Sequence, residues 1–119
     1  MVKFKVLVVD DEENIRSLIK QVLTREGRQV LLSSRGSDAV EIFQRERPDI
    51  TILDIGMPDL NGIEVLRRIR AIDQGATVMV FTGSPTEALL KQARELGVTD
   101  VIEKGSSLSA LWEARTPRV

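Results

Sequence analysis

Five polar residues carry the chemistry open to this sequence: Asp10, Asp11, Asp54, Thr82 and Lys104. Each ends or closely follows a short apolar run: F-K-V-L-V-V before Asp10, I-T-I-L before Asp54, T-V-M-V-F up to Thr82, and V-I before Glu103 and Lys104. An acid at the end of such a run is not there for packing, because burying an unpaired carboxylate is costly. Carboxylates sharing one crevice repel: two of them ~4 Å apart at an effective dielectric of about 20 cost about 4 kcal/mol. A divalent cation reverses that sign, and a small oxygen-ligated ion such as Mg²⁺ suits one or two carboxylates plus phosphate and water. A lysine and a threonine hydroxyl facing the same point offer a phosphoryl group a compact positive charge and a short donor. Together these residue types describe phosphoryl transfer onto a carboxylate, Asp54, by positioning and charge. Singly, each has an ordinary reading. Asp54 can bond the turn after it, Asp11 can cap a helix, Thr82 is a good strand former and Lys104 can be a solvated cation.

The elements decide whether the five meet. Phe4 to Val9 reads as a buried strand, and Asn14 to Glu26 follows as an amphipathic helix through Ile15, Leu18, Ile19, Val22 and Leu23, stopped at Gly27. Gln29 to Ser33 is a second strand, short and flanked by polar residues, which suits an edge. Ser37 is the expected cap of a second helix that buries Val40 and Phe43. Ile50 to Leu53 is a strand buried on both faces, entered through Pro48 and left through Gly56-Met57-Pro58. Asn61-Gly62 begins a third helix, with Ile63, Leu66, Ile69 and Ile72 inward and Arg67, Arg68 and Arg70 in its solvated part. Thr77 to Thr82, Thr86 to Leu96 and Val101-Ile102 supply a strand, a helix stopped at Gly97 and a short fifth strand. Ser107 to Glu113 is the expected fifth helix, and Pro117 ends it early, so the carboxyl end after residue 113 is expected to be either frayed or a truncation point.

Strict β-α alternation forces a parallel sheet with right-handed crossovers and helices on both faces, a doubly wound α/β fold. The carboxyl ends of parallel strands share one edge, where such sheets bind their ligands. Asp10, Asp11, Asp54, Thr82 and Lys104 therefore converge there.

Composition narrows the function. The 119 residues make one domain, with 42% apolar and 29% charged residues and a formal net charge of −1. No basic stripe marks a nucleic-acid surface. Cysteine and histidine are both absent, which removes disulfides, thiolate chemistry and a phosphohistidine on this chain, so any metal is a hard cation held by oxygen. No apolar run approaches the ~20 residues of a membrane span, and the amino end has no signal-peptide profile. A cytoplasmic location is the expectation.

The pieces V-L-V-V-D-D-E, R-P-D-I-T-I-L-D-I-G-M-P-D-L-N-G, V-F-T-G and V-I-E-K-G, in this order and spacing, resemble the receiver domain of two-component response regulators over nearly the whole chain. The resemblance implies a flavodoxin-like five-stranded sheet in the order 2-1-3-4-5. It implies that Asp54 accepts a phosphoryl group from a phosphohistidine on a sensor histidine kinase or phosphotransfer protein. It also implies that Asp11, Asp54 and the Gly56 carbonyl ligate Mg²⁺, with Asp10 acting through water, and that Thr82 and Lys104 bind phosphoryl oxygens. On this reading residues 1–119 form one receiver domain that catalyses only its own phosphorylation and slow dephosphorylation. It is a monomer or a phosphorylation-dependent dimer, and it acts on an output domain or target outside this chain, with no direct contact to nucleic acid or membrane. Two positions depart from the family. Val101 stands where it usually has Tyr or Phe, and Gly105 where it usually has Pro. The fifth helix is also short.

Three rivals are weaker. A degenerate receiver serving as a phosphorylation-independent interaction module would be marked by loss of Asp54 or Lys104, and both are present. A flavodoxin-like cofactor binder would need donors after strand one, where Asp10-Asp11-Glu12-Glu13 repel an anion. An aspartyl-phosphate hydrolase would place its nucleophile after strand one and would need more residues for a substrate cap.

Overall fold

The computed structural model describes residues 4–56, 62–83 and 86–103. Strands β1 (Lys5–Val9), β2 (Gln29–Ser33), β3 (Ile50–Leu53), β4 (Val78–Thr82) and β5 (Asp100–Glu103) form one parallel sheet in the order β2-β1-β3-β4-β5. Helices α1 (Glu13–Arg25), α2 (Gly36–Glu46), α3 (Gly62–Ile72) and α4 (Glu87–Glu95) connect them. This is the doubly wound fold expected from the alternation. The expected fifth helix lies outside the described residues, as do Lys104, Gly105 and the Met57-Pro58 and Ser84-Pro85 turns.

Each strand divides its side chains between two cores. Leu7, Val9, Leu53, Val78 and Val80 face one core with Phe43 of α2, Ile63, Leu66 and Ile69 of α3 and Ala93 of α4. Val6, Val8, Ile50, Ile52, Met79, Phe81 and Ile102 face the other with Ile19 and Leu23 of α1. The central strand is buried along its whole length, as its unbroken apolar run requires. At the edge, β2 keeps its first four residues only half-buried.

Local differences from the sequence reading have physical causes. Helix α2 begins at Gly36, with Arg35 as its extended cap residue and no side-chain cap bond, so Ser37 lies inside the first turn instead of capping it. Ser33 organises that turn instead, its hydroxyl donating to the Arg35 carbonyl at 2.7 Å. Thr86 does cap α4, its hydroxyl oxygen accepting from the Leu89 N–H at 3.2 Å. Gly27 and Gly97 follow α1 and α4 at φ +77° and +76°, the left-handed conformation that ends a helix most cheaply with glycine. β4 starts one residue later than expected. β5 is longer by one residue at each end, because its ladder with β4 runs from Asp100 opposite Met79 to Glu103 opposite Thr82.

Candidate phosphoacceptor and metal site

Asp10 is the first residue beyond β1 and is 2% exposed. Its N–H donates to the Ser33 carbonyl at the end of β2, at 3.0 Å, so the sheet ladder continues into the site. Its Oδ1 accepts the Glu12 N–H at 2.9 Å and closes the turn into α1. Asp11, read as a capping residue in its ordinary role, does not cap. Glu12 occupies the cap position without a side-chain cap bond, and Asp11 is exposed.

Asp54 stands immediately past β3 and is 5% exposed. Its N–H bonds to the Val9 carbonyl at 2.9 Å, which sets it beside Asp10. Parallel registry thus aligns the two acids. One carboxylate oxygen from each of Asp10, Asp11 and Asp54 lies within 4.8 Å of the others. Three anions this close suit a hard divalent cation, and the donor set is all oxygen.

Thr82 ends β4 and is 2% exposed. Gly56 links it to Asp54. The Gly56 N–H donates to Asp54 Oδ1 at 2.8 Å, which orients the carboxylate. A β-carbon on Gly56 would stand 3.4 Å from Asp54 Oδ1 and 3.7 Å from Thr82 Oγ1, so the backbone of residue 56 lies against both groups. Of the residues expected from the sequence, the structure brings together Asp10, Asp11, Asp54, Gly56 and Thr82. Lys104 follows Glu103, the register partner of Thr82, and lies outside the described residues.

Two contributors escaped the sequence reading. Gly62 was read only as a helix start. A β-carbon there would lie 2.6 Å from the Asp54 carbonyl oxygen and collide with the Ile55 α-carbon, so α3 packs its first residue directly on the backbone that carries Asp54. Arg16 is the fourth residue of α1, among polar residues that periodicity assigns to solvent. Its guanidinium donates to the Asp10 carbonyl at 2.8 Å. An isolated arginine one turn beyond an acidic run was the only available signal.

The family model of the response regulator receiver domain matches residues 6–115. The chain is 32% identical over 114 residues to sporulation initiation phosphotransferase F of Bacillus subtilis, covering 96% of this chain and 92% of that protein. It is 34% identical over 111 residues to the chemotaxis protein CheY of Thermotoga maritima, covering 92% of each. Among solved structures, a CheY-like receiver domain protein from Methanospirillum hungatei superposes with a TM-score of 0.90 at 24% identity, over 95% of this chain and 90% of that one. That likeness concerns the fold.

Proposed function

We propose that this chain, which belongs to the response regulator receiver domain family, takes a phosphoryl group onto Asp54 and so switches the surface at the carboxyl edge of its sheet. The meeting of the Asp10, Asp11 and Asp54 oxygens within 4.8 Å, at the edge where Thr82 ends β4, carries the reading. By the family likeness the donor is a phosphohistidine on a sensor histidine kinase or phosphotransfer protein, and that histidine belongs to the partner because this chain has none. The bond from phosphorus to the imidazole nitrogen breaks, its electron pair returns to the ring, and a bond from phosphorus to an Asp54 carboxylate oxygen forms. The name of the Bacillus subtilis relative, a phosphotransferase, supports this chemistry.

Asp11 and Asp54, with the Gly56 carbonyl and with Asp10 through water, would hold Mg²⁺. When bound, the ion supplies positive charge against the carboxylates and the incoming phosphoryl oxygens. The protein's own groups do the rest. The Gly56 N–H holds the Asp54 carboxylate in one orientation. The Thr82 hydroxyl donates to a phosphoryl oxygen, and Lys104 neutralises another. The domain turns over no outside substrate; it acts as a cytoplasmic switch read by an output domain or target protein.

Intact mass after incubation with Mg²⁺ and acetyl phosphate tests the reading. The wild type gains one phosphoryl group, and Asp54→Asn gains none while keeping its fold, because an amide cannot form the mixed anhydride. Full uptake by Asp54→Asn would move the nucleophile to another residue and defeat the proposal.

A further inference from the structure

We propose that Arg16 is a positioning residue for the metal-binding carboxylates, acting through the backbone of Asp10 and not on the phosphoryl group. The inference deepens the metal reading above and rests on it. One carboxylate oxygen from each of three acids lies within 4.8 Å of the others, so without metal their repulsion acts to open the β1-α1 turn. Helix α1 lacks a side-chain cap at Glu12, so an ordinary capping bond does not hold that turn. Among the described contacts, two tie Asp10 to the start of α1. The Glu12 N–H reaches Asp10 Oδ1, and the Arg16 guanidinium reaches the Asp10 carbonyl. The two respond differently to a cation. The first uses the carboxylate, the group a metal or its water draws upon. The second uses the main-chain oxygen and survives any change in how the carboxylate is engaged. Arg16 also bonds through its own N–H to the Glu12 carbonyl at 3.1 Å, so the tie runs from the turn into the first hydrogen-bonded turn of α1. The turn that carries Asp10 and Asp11 is thereby fixed to a helix anchored by Ile19 and Leu23 in the core.

Charge alone argues for the opposite effect: a guanidinium beside a cation site weakens cation binding, and its removal should tighten it. The sign of the change therefore separates positioning from mere charge. The full chain, its Arg16→Met variant and its Arg16→Lys variant are titrated with Mg²⁺ by calorimetry and with Mn²⁺ by electron paramagnetic resonance. Arg16→Met binds either ion about tenfold more weakly, the low end of what outer-sphere partners of metal ligands contribute. Arg16→Lys recovers most of the loss, because one ammonium donor can reach the same carbonyl. Phosphoryl uptake from acetyl phosphate shifts its half-saturating Mg²⁺ by the same factor, and the plateau rate at saturating Mg²⁺ stays at the wild-type value. Should Arg16→Met fail to fold, Arg16→Gln carries the same expectation. Equal or tighter binding by the variant, with the wild type binding normally, overturns the inference and leaves the metal reading standing. A wild type that binds neither ion overturns both.

Discussion

Replacing Gly62 with alanine tests whether α3 holds the strand that carries Asp54 by backbone contact. Within a helix that exchange ordinarily stabilises, by up to ~1 kcal/mol, because glycine is the poorer helix former. Here the new β-carbon would stand 2.6 Å from the Asp54 carbonyl oxygen, roughly 0.8 Å inside ordinary van der Waals contact, and nearer still to the Ile55 α-carbon. Both obstacles are main chain, so no side-chain rotation relieves them. Either the first turn of α3 lifts off, disturbing Ile63, Val65 and Leu66, all fully buried, or the Asp54-Ile55 peptide moves. Overpacking costs about 1–3 kcal/mol where side chains can adjust, and the rigid partners here argue for the upper half of that range. Less the helix-propensity gain, the expected loss is about 1–2 kcal/mol. For a chain of this length that lowers the melting temperature by about 3–10 °C.

The second consequence is chemical. A peptide displaced by part of an ångström carries the Asp54 carboxylate with it, and a misplacement of 1 Å can cost ~100-fold in rate. Urea unfolding and phosphoryl uptake from acetyl phosphate are measured side by side. The control is Gly27→Ala, at φ +77° with nothing near its β-carbon. That change costs about 1–2 kcal/mol through backbone strain alone and should leave uptake per folded molecule unaltered. If Gly62→Ala proves neutral or stabilising and takes up phosphoryl at the wild-type rate, the contact does not hold the site and the reasoning fails.

Thr51 is fully buried in β3, and its hydroxyl has no hydrogen-bond partner among the described residues, so Thr51→Val should raise stability by about 1 kcal/mol in urea unfolding. A loss of stability would mean that the hydroxyl is satisfied in solution. At the opposite edge, the Lys5 side chain donates to Glu46 and Arg45 adds to it, which holds the Glu46 carboxyl below its usual value of 4.5. A lowered acid stabilises the fold above its unfolded pKa and loses that contribution as pH falls through the folded value. Lys5→Met should therefore melt slightly lower than wild type at pH 7, the gap closing as pH falls through the lowered Glu46 value; a gap independent of pH would assign it to packing. Val101 is half-buried against the core shared by α3 and α4, and its branched side chain has one stiff torsion and no ring to turn. A beryllofluoride phosphoryl mimic should shift the amide resonances of Gly56, Thr82, Gly83, Thr86 and Glu87 most. A larger shift at Val101 would show that an aromatic residue is not needed for the change to reach β5.

The sheet was legible because its information is one-dimensional. Apolar runs such as Val6–Val9 and Ile50–Leu53 announce buried strands, and alternation with helical stripes dictates parallel pairing. Once the strands are parallel, Asp10 and Asp54 must share an edge, and the ladder bonds from Asp54 to Val9 and from Asp10 to Ser33 carry that registry into the site. Boundaries were less legible. Ser37 has the composition of a cap, but the Ser33 hydroxyl bonds the Arg35 carbonyl two residues on, and the helix starts at Gly36; two serines compete within one short stretch, and composition does not say which organises the turn.

Gly62 and Arg16 were hidden for a further reason, and it bears on how the site works. Periodicity reports which side chains are apolar; it is silent about where one backbone rests on another, or which main-chain oxygen a long polar side chain reaches. Both contacts are of that kind, and both end on the residues that carry the acids: Gly62 against Asp54 and Ile55, Arg16 on Asp10. The acidic half of the edge is therefore braced from both layers of helices, by α3 on one face and α1 on the other. The half formed by Thr82 and the start of α4 is held differently. Ala93, near the carboxyl end, is the one fully buried residue of α4, while its amino end is capped by Thr86 and meets the core through the half-buried Leu89. On the proposed function, a charge added at Asp54 is expected to meet firmer packing on the β1-β3 side than at the amino end of α4. That difference in packing predicts rearrangement toward Thr82 and the amino end of α4 without a rotating ring at position 101, which the amide shifts named above would check.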